Sequence, residues 1–429
     1  MEKQMMRSQY NLRAFLSAAL LSIVSSGTVR AVELTIWHHT YPPAEDFIKQ
    51  KAAEYTKQNP DVTFKFESNP HGDYEVKLFA AFAGGNAPDI INVLDYLYPK
   101  FVQKKLLAEI SLPAFGVKSK EELEALYEPG ALVGNTVDGK IYGVPEELNT
   151  FALFLNKKHF AEAGLDATDP KIWPKTWKDL FALAKKVEKR DASGKLTRLG
   201  FNWVWGNDGF WYAMQYWPIL VQYGGHPVDA DGQVKINSPE CVKAFTETWL
   251  SVIKDGIGGP NYASVNPVNA LQDFGSGRQS MAMAGIWAPP LWDQDVRDNY
   301  VTVPLPQLDP AKPATLLYNY SMTVTSACKH PEEAWKFLRF LTSDGDGYLT
   351  HTGYITGLRG WNETPIAKKV QGVDVFAQGM KWGSYYWKSV TWAQEGAAIK
   401  KAIESFAQGT DVKEALDTAA EEMKAARSQ

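Results

Sequence analysis

The sequence predicts an α/β protein whose N-terminal part builds a mainly parallel sheet. Two patterns carry that prediction. Between residues 33 and 93, two-residue alternation and helical spacing take turns in the order strand, helix, strand, helix, strand, the order from which parallel sheets are wound. The composition is that of a globular chain of 429 residues, 45% hydrophobic with a net charge of −4. That length suits one oversized domain or two to three ordinary ones. Fifteen Trp is an excess that asks for a reason.

Residues 33–39 (ELTIWHH) alternate as a strand, which Pro42-Pro43 ends. Phe47, Ile48, Ala52 and Tyr55 place a helix over 44–59, and Asn59-Pro60-Asp61 turns the chain into a second strand at 62–67. A helix over 74–82 stops at Gly84-Gly85, and 88–93 (PDIINV) is the third strand. A stretch at 106–110 and an acidic helix at 121–127 follow. The extended segment 140–144 then leads into Pro145-Glu146-Glu147 and 151–155, the look of a crossover between two compact units. Lys175 or Thr176 starts a helix through Leu180, Leu183, Ala184 and Val187. The densest aromatic run lies at 201–217. Ser238 caps and Pro239 opens a helix with Val242, Phe245, Trp249 and Ile253 on one face. Short helix and strand signals at 270–274 and 280–284 precede a second crossover at 301–306 and an extended stretch at 316–324. Pro331 heads an amphipathic helix with Ala334, Phe337, Leu338 and Leu341 facing inward, and the last 40 residues are helical.

Lys3, Arg7 and Arg13 surround the start of an apolar run, Ala14 to Val24, and Val29-Arg30-Ala31 offers small residues for cleavage. That run is too short to span a bilayer, so residues 1–31 are expected to be a cleaved secretory signal, with no Cys nearby for a lipid anchor. Its loss removes Lys3, Arg7, Arg13, Arg30 and Glu2 and takes the net charge from −4 to −7. A negative body without a basic patch argues against nucleic acid as a partner. Cys241 and Cys328 are the only cysteines. In an oxidising compartment they either form a disulfide or sit as two small buried apolar groups.

There is no dinucleotide or phosphate loop, no nucleophile elbow and no His-Glu-x-x-His, and no cofactor is expected. His38 and His39 are adjacent on a strand and point to opposite faces, so they do not share a metal. Glu146 and Glu147 are sequence neighbours, which gives no sign of two acids facing each other across a glycosidic bond. What stands out is aromatic surface. Sugar rings offer apolar faces to Trp and Tyr and polar edges to acids and amides. Trp37, Trp211, Trp287 and Trp382 lie near Gly- or Pro-rich loop ends, where a ligand platform competes with core packing as their role.

Nine segments in order carry a resemblance. They are ELTIWHH at 33–39, FAGGNAPDIINVLD at 82–95, KKLLAEI at 104–110, GKIYGVPEELNTFALFLNKKHFAEAGLD at 139–166 and PKTWKDLFALAKK at 174–186. They continue with YGG at 223–225, INSPE at 236–240, FGSGRQSMAMAGIWAP at 274–289 and HPEEAWKFLRFLTSDG at 330–345. Over nearly all of the chain beyond the signal, it resembles the extracellular solute-binding proteins of the sugar-transporter, maltose-binding-like type. The resemblance implies a two-lobed periplasmic binding protein fold with hinge crossovers. One lobe would be 32–143 plus 305–348, the other 144–304 plus 349–429. It implies a monomer without catalysis that captures a carbohydrate by closing on it and delivers it to the membrane permease of an ATP-driven importer.

The resemblance also implies ligand contacts. His38, His39 and Thr40 match a contact loop. Asp95 or Tyr96 matches an acid that grips hydroxyls, and Glu146 or Glu147 an acid past the hinge. Trp211 and Tyr212 fall at a cleft aromatic, Trp287 at a stacking Trp, and Trp382 with Tyr385 and Tyr386 in another aromatic region. Arg359 departs from the neutral-sugar pattern and, if it faces the cleft, would suit an acidic sugar. Two alternatives stand beside this reading: a ferric-ion binder using Tyr385 and Tyr386, and a secreted glycoside hydrolase.

Overall fold

The computed structural model describes residues 31–205, 209–260 and 269–428. Eight strands frame two sheets: β1 (Val32–His39), β2 (Val62–Asn69), β3 (Ile90–Leu94), β4 (Val144–Asn149), β5 (Ala152–Asn156), β6 (Met281–Ala284), β7 (Tyr300–Val303) and β8 (Tyr318–Val324). The first sheet runs β2-β1-β3-β8-β4. Its β1 lies parallel to β2 and β3, while β8 is antiparallel to both β3 and β4. The second sheet is β6-β5-β7, with both outer strands antiparallel to β5.

Burial explains the strands. Every residue of β3 (IINVL) is buried, as expected for a strand covered on both faces. In β1 the buried residues alternate at Leu34 and Ile36, and the alternation then breaks because His38 and His39 are both buried. Helices Pro42–Gln58 and Pro331–Thr342 cover the first sheet, with Phe47, Ile48, Phe337 and Leu338 in its core. Helix Gly209–Gln222 is apolar nearly all round and correspondingly buried. It packs against Trp392–Ala407, which pairs with Val412–Arg427.

Most predicted elements are present within a few residues. Thr176, not Lys175, caps helix Trp177–Val187, and its side chain and that of Asp179 close a capping box. The helix expected to carry Val242 through Ile253 is two helices, Pro239–Glu247 and Trp249–Lys254. At Thr248 (φ −120°, ψ −70°) the hydroxyl donates back to the Ala244 carbonyl at 2.6 Å, the kind of side-chain bond that bends helices. The stretch at 106–110 is irregular, with Leu107 making a single bridge to Thr325.

The lobe boundaries also move. Strand 144–149 belongs to the first sheet, so the chain crosses at Thr150-Phe151 and not at 143. It returns between Val303 and Tyr318. Helix Gly345–Thr352 still packs on Pro42–Gln58, which puts the third crossing after Thr352 and not at 348. Cys241 and Cys328 are free thiols, so of the two alternatives the disulfide is not formed; Cys241 is buried and Cys328 partly so. Among the described residues, no helix is long and apolar enough to cross a membrane.

Candidate functional site

The carboxyl ends of β1 and β3 face the gap between the sheets, the place where open α/β sheets receive ligands. A cavity of about 140 Å³ opens there. Its wall includes His39, Thr40 and Tyr41 at the end of β1, Glu147 on β4, and Tyr318 and Tyr320 on β8. The opposite wall includes Trp211 and Met214 from helix Gly209–Gln222 and Trp287 just after β6. A second chamber of about 140 Å³ adjoins it, lined among others by Tyr96, Glu75 and Trp392. His71, Phe210 and Tyr320 form the shared wall.

Hydrogen bonds set the polar side of the cavity. Asn92 Oδ1 accepts from the His39 backbone N–H at 3.1 Å, which turns Nδ2 to donate to His39 Nδ1 at 2.6 Å. Burial and the charge on His38 hold His39 well below the ordinary histidine range, so its ring is neutral and stacks on Tyr320 at 4.4 Å. His38 lies behind, fully buried, donating to the His39 carbonyl at 2.5 Å and to Glu146 Oε1 at 2.6 Å. A carbonyl can only accept, so with a carboxylate on the other nitrogen both ring nitrogens carry protons. Burial opposes that charge, but the Glu146 carboxylate outweighs it and raises the His38 pKa.

Glu147 is the acid that reaches the cavity wall. It is 2% exposed, and its Oε1 accepts from the Tyr318 hydroxyl at 2.7 Å and from Asn149 Nδ2 at 3.2 Å. Burial pushes its pKa up to about 8, with the Glu146 charge adding to the shift against the pull of those donors and of His38. The Tyr318 hydroxyl in turn accepts from Trp287 Nε1 at 2.6 Å. This relay from indole to phenol to carboxyl fixes the Trp287 ring, which meets Trp211 at 73° with centroids 6.1 Å apart. Gly353 (φ +74°) lets the third crossing pass close beside Ile286 and Trp287, where a Cβ would collide with their backbone.

The predicted residues divide. The structure brings His39, Thr40, Glu147, Trp211 and Trp287 to the first chamber and Tyr96 to the second. Tyr96 stacks on Trp392 at 4.0 Å, whereas Asp95 is buried behind it, accepting from the backbone N–H groups of Tyr96 and Asn319. Burial raises the Asp95 pKa to about 7. His38 and Glu146 likewise sit behind the wall.

Four expectations need correction. Tyr212 is a core residue: one position on from Trp211, it turns away to stack on Trp249 and to bond Glu404. Arg359 is exposed, its Nε donating to the Ala125 carbonyl in an outer groove beside Glu121, Glu124 and Glu128. Arg359 is therefore not placed to meet an acidic sugar in the cleft. Trp382, half-buried, ends helix Val373–Trp382 and lines neither chamber. Tyr385 bonds the Ala131 carbonyl, and Tyr386 is buried against Phe210, Trp217 and Trp392, so neither reaches the cleft as a metal-ligating phenolate would. Among the described residues, no group of three or more His, Cys, Asp or Glu is placed to hold a metal.

Sequence reasoning missed Tyr41, His71, Phe210, Tyr318, Tyr320 and Tyr354. One signal was available. Tyr318 and Tyr320 alternate within the extended stretch 316–324 and so share a face, a pair of rings inside a strand beside a predicted crossover.

Comparison with known proteins agrees with this architecture. The lactose-binding protein of Rhizobium radiobacter is 25% identical over 367 residues, covering 81% of this chain and 80% of its own. The galactooligosaccharide-binding protein of Bacillus subtilis is 23% identical over 404 residues, covering 91% and 89%. Among solved structures, maltose-bound MalE3 of T. maritima matches with a TM-score of 0.79 at 20% identity over 92% of this chain and 99% of its own. An ABC transporter solute-binding protein of Thermotoga lettingae bound to α-D-tagatose matches with the same score at 21% identity over 92% of this chain and 99% of its own. The overall fold is thus shared with these proteins, and residues 41–348 match the model of the family itself: the chain belongs to the bacterial extracellular solute-binding proteins.

Proposed function

We propose that the chain is the exported sugar-capturing subunit of an ATP-driven importer, acting as a monomer that binds and does no chemistry. The observation that carries this reading is the aromatic cavity itself. Trp211 and Trp287 offer faces from one lobe, while Glu147, His39 and Tyr320 offer polar edges from the other. A ligand touching both walls favours the closed arrangement over the open one, which is hinge closure driven by differential contacts. The crossings at Thr150-Phe151, between Val303 and Tyr318, and after Thr352 are the hinge. The names of relatives that bind lactose, galactooligosaccharide and maltodextrin support a carbohydrate as cargo. Export follows from the apolar run Ala14 to Val24, and the compartment is the periplasm.

A thermal-shift screen of the purified protein against neutral, acidic and amino sugars, polyols and ferric citrate tests the reading. A ligand that binds only the folded state raises the melting temperature once it exceeds its dissociation constant. A shift with a saccharide is expected. A shift with ferric citrate alone, or hydrolysis of a glycoside, would overturn the reading. N-terminal sequencing of the protein recovered from the periplasm checks cleavage after Ala31.

A further inference from the structure

The charges at the cleft do not balance. His38 and Glu146 form a buried pair that cancels itself. Glu147 is left over. Among the described residues, no lysine or arginine lines either chamber, and Glu75 in the second is already paired with Lys100 at 2.8 Å. Glu147 Oε1 is spent on Tyr318 and Asn149, while the structure gives Oε2 no hydrogen bond, on a side chain at the cavity wall that is only 2% exposed. Around it stand rings: Trp287, Trp211, Phe210, Tyr320 and Tyr354. A buried carboxyl without a counter-charge is costly to ionise, and an aromatic wall attracts cations through the ring faces. An anionic ligand would find nothing here to pair with.

We infer that the cargo supplies the missing cation: a sugar carrying a protonated amine, its ammonium on Glu147 Oε2 and its ring against the aromatic wall. This rests on the sugar-capture reading and narrows it to amino sugars. The neighbouring groups make the pairing visible. Glu146 and His38 lie behind Glu147, His39 and His71 stand on the cavity wall, and the hydroxyls of Tyr41, Tyr318 and Tyr354 face it. With its pKa up at about 8, Glu147 is mostly protonated at neutral pH, so an ammonium displaces a proton into solvent as it binds. A neutral sugar does not.

The experiment is titration calorimetry of the whole protein at pH 8 and pH 6. The probes are glucosamine, galactosamine, mannosamine and the glucosamine β-1,4 dimer, each beside its N-acetylated and its neutral hydroxyl counterpart. At least one amine is expected to bind about tenfold or more tighter than both counterparts at pH 8. That preference should shrink about tenfold or more by pH 6, where the amine is fully charged and Glu147 fully protonated. About one proton is then released per amine bound, read from buffers of different ionisation heat. At pH 8 the sugar amines are themselves largely unprotonated and net release vanishes. In Glu147→Gln the ratio of amine to neutral binding should fall to near one. Should that variant fail to fold, the proton release by the natural protein still decides. Neutral or N-acetylated sugars binding as tightly as every amine would overturn the inference and leave sugar capture standing. Amine binding at pH 6 without proton release would overturn it too. Binding by no saccharide of this panel or of the wider screen would bring down both.

Discussion

Two aromatic clusters lie side by side in this protein and are built on opposite principles. In the core, Trp203, Trp249 and Tyr212 stack nearly parallel, with Trp203 and Trp249 at 5.0 Å and 11°, and Trp205 standing edge-on to Trp249. At the cleft, Trp211 and Trp287 meet at 73° and remain half-buried. The core rings give up polar ends for packing: the indole N–H groups of Trp203 and Trp249 are buried without a partner. The Trp287 N–H does the reverse, spending its bond on Tyr318 to hold the ring at a set angle. Packing needs area, whereas a binding wall needs orientation. The excess of tryptophan in the sequence thus has two causes, and the larger share is structural.

Substitutions can separate the two. Trp249→Ala should cost the most, about 3–5 kcal/mol of stability, because the cavity it leaves lies between rings that cannot collapse. Urea unfolding checks this, and a loss below about 1 kcal/mol would mean that the stack is slack.

Next comes a pH effect confined to the cleft side, since the core stack has no acid within it. Glu147 and Asp95 hold protons in the folded state that they release when unfolded, at about 8 and about 7 against ordinary values of 4.5 and 3.8. Their contribution is fully present below those ordinary values and is lost as pH rises through the folded ones. His38, raised by Glu146, adds a loss of the same sign as its own folded pKa is passed. His39 and His159, held below the ordinary histidine value of 6.5, work in the opposite sense below it. The net fall in stability therefore lies between about pH 6.5 and 8, by an amount on the order of a few kcal/mol, and thermal melts across that range measure it. A flat profile would mean that Glu147 ionises freely.

Trp287→Ala should weaken sugar binding by about 1–3 kcal/mol while lowering the melting temperature less than Trp249→Ala does. Calorimetry with the tightest saccharide reads the first and a melt the second; unchanged affinity would remove Trp287 from the cleft. Arg359→Ala should do least, within about 0.5 kcal/mol on stability and with no change in affinity, because its side chain is exposed on the outer face.

The sequence was a good guide where periodicity decides the outcome. Strands 32–39, 62–69 and 90–94 and helix Pro331–Thr342 were legible because one face must be buried and the spacing says which. The site was legible in part. Trp287 could be found from its segment, but Trp211 and Tyr212 are neighbours of one chemistry. Only the direction each takes from the helix separates wall from core, and that depends on Trp249, far along the chain. The same limit applied to Asp95 against Tyr96 and to Glu146 against Glu147: adjacent residues in extended or tightly turned chain face opposite ways, and which one meets the cavity is fixed by pairing with β8. Arg359 misled because a glycine-flanked loop can face either side.

Trp287 is gripped twice from the other lobe. Its carbonyl lies 2.9 Å from the Tyr41 hydroxyl and its indole 2.6 Å from that of Tyr318. The platform under the ligand is thus also a catch on the door, and opening must undo both bonds before anything leaves. Release then depends on these hydroxyls as well as on the grip on the cargo, and on Tyr318 more than on Tyr41, whose single proton is shared with the Thr352 carbonyl at 2.5 Å. Losing either hydroxyl shortens the residence time, and the importer receives its load from a protein whose clock is set partly by its own latch.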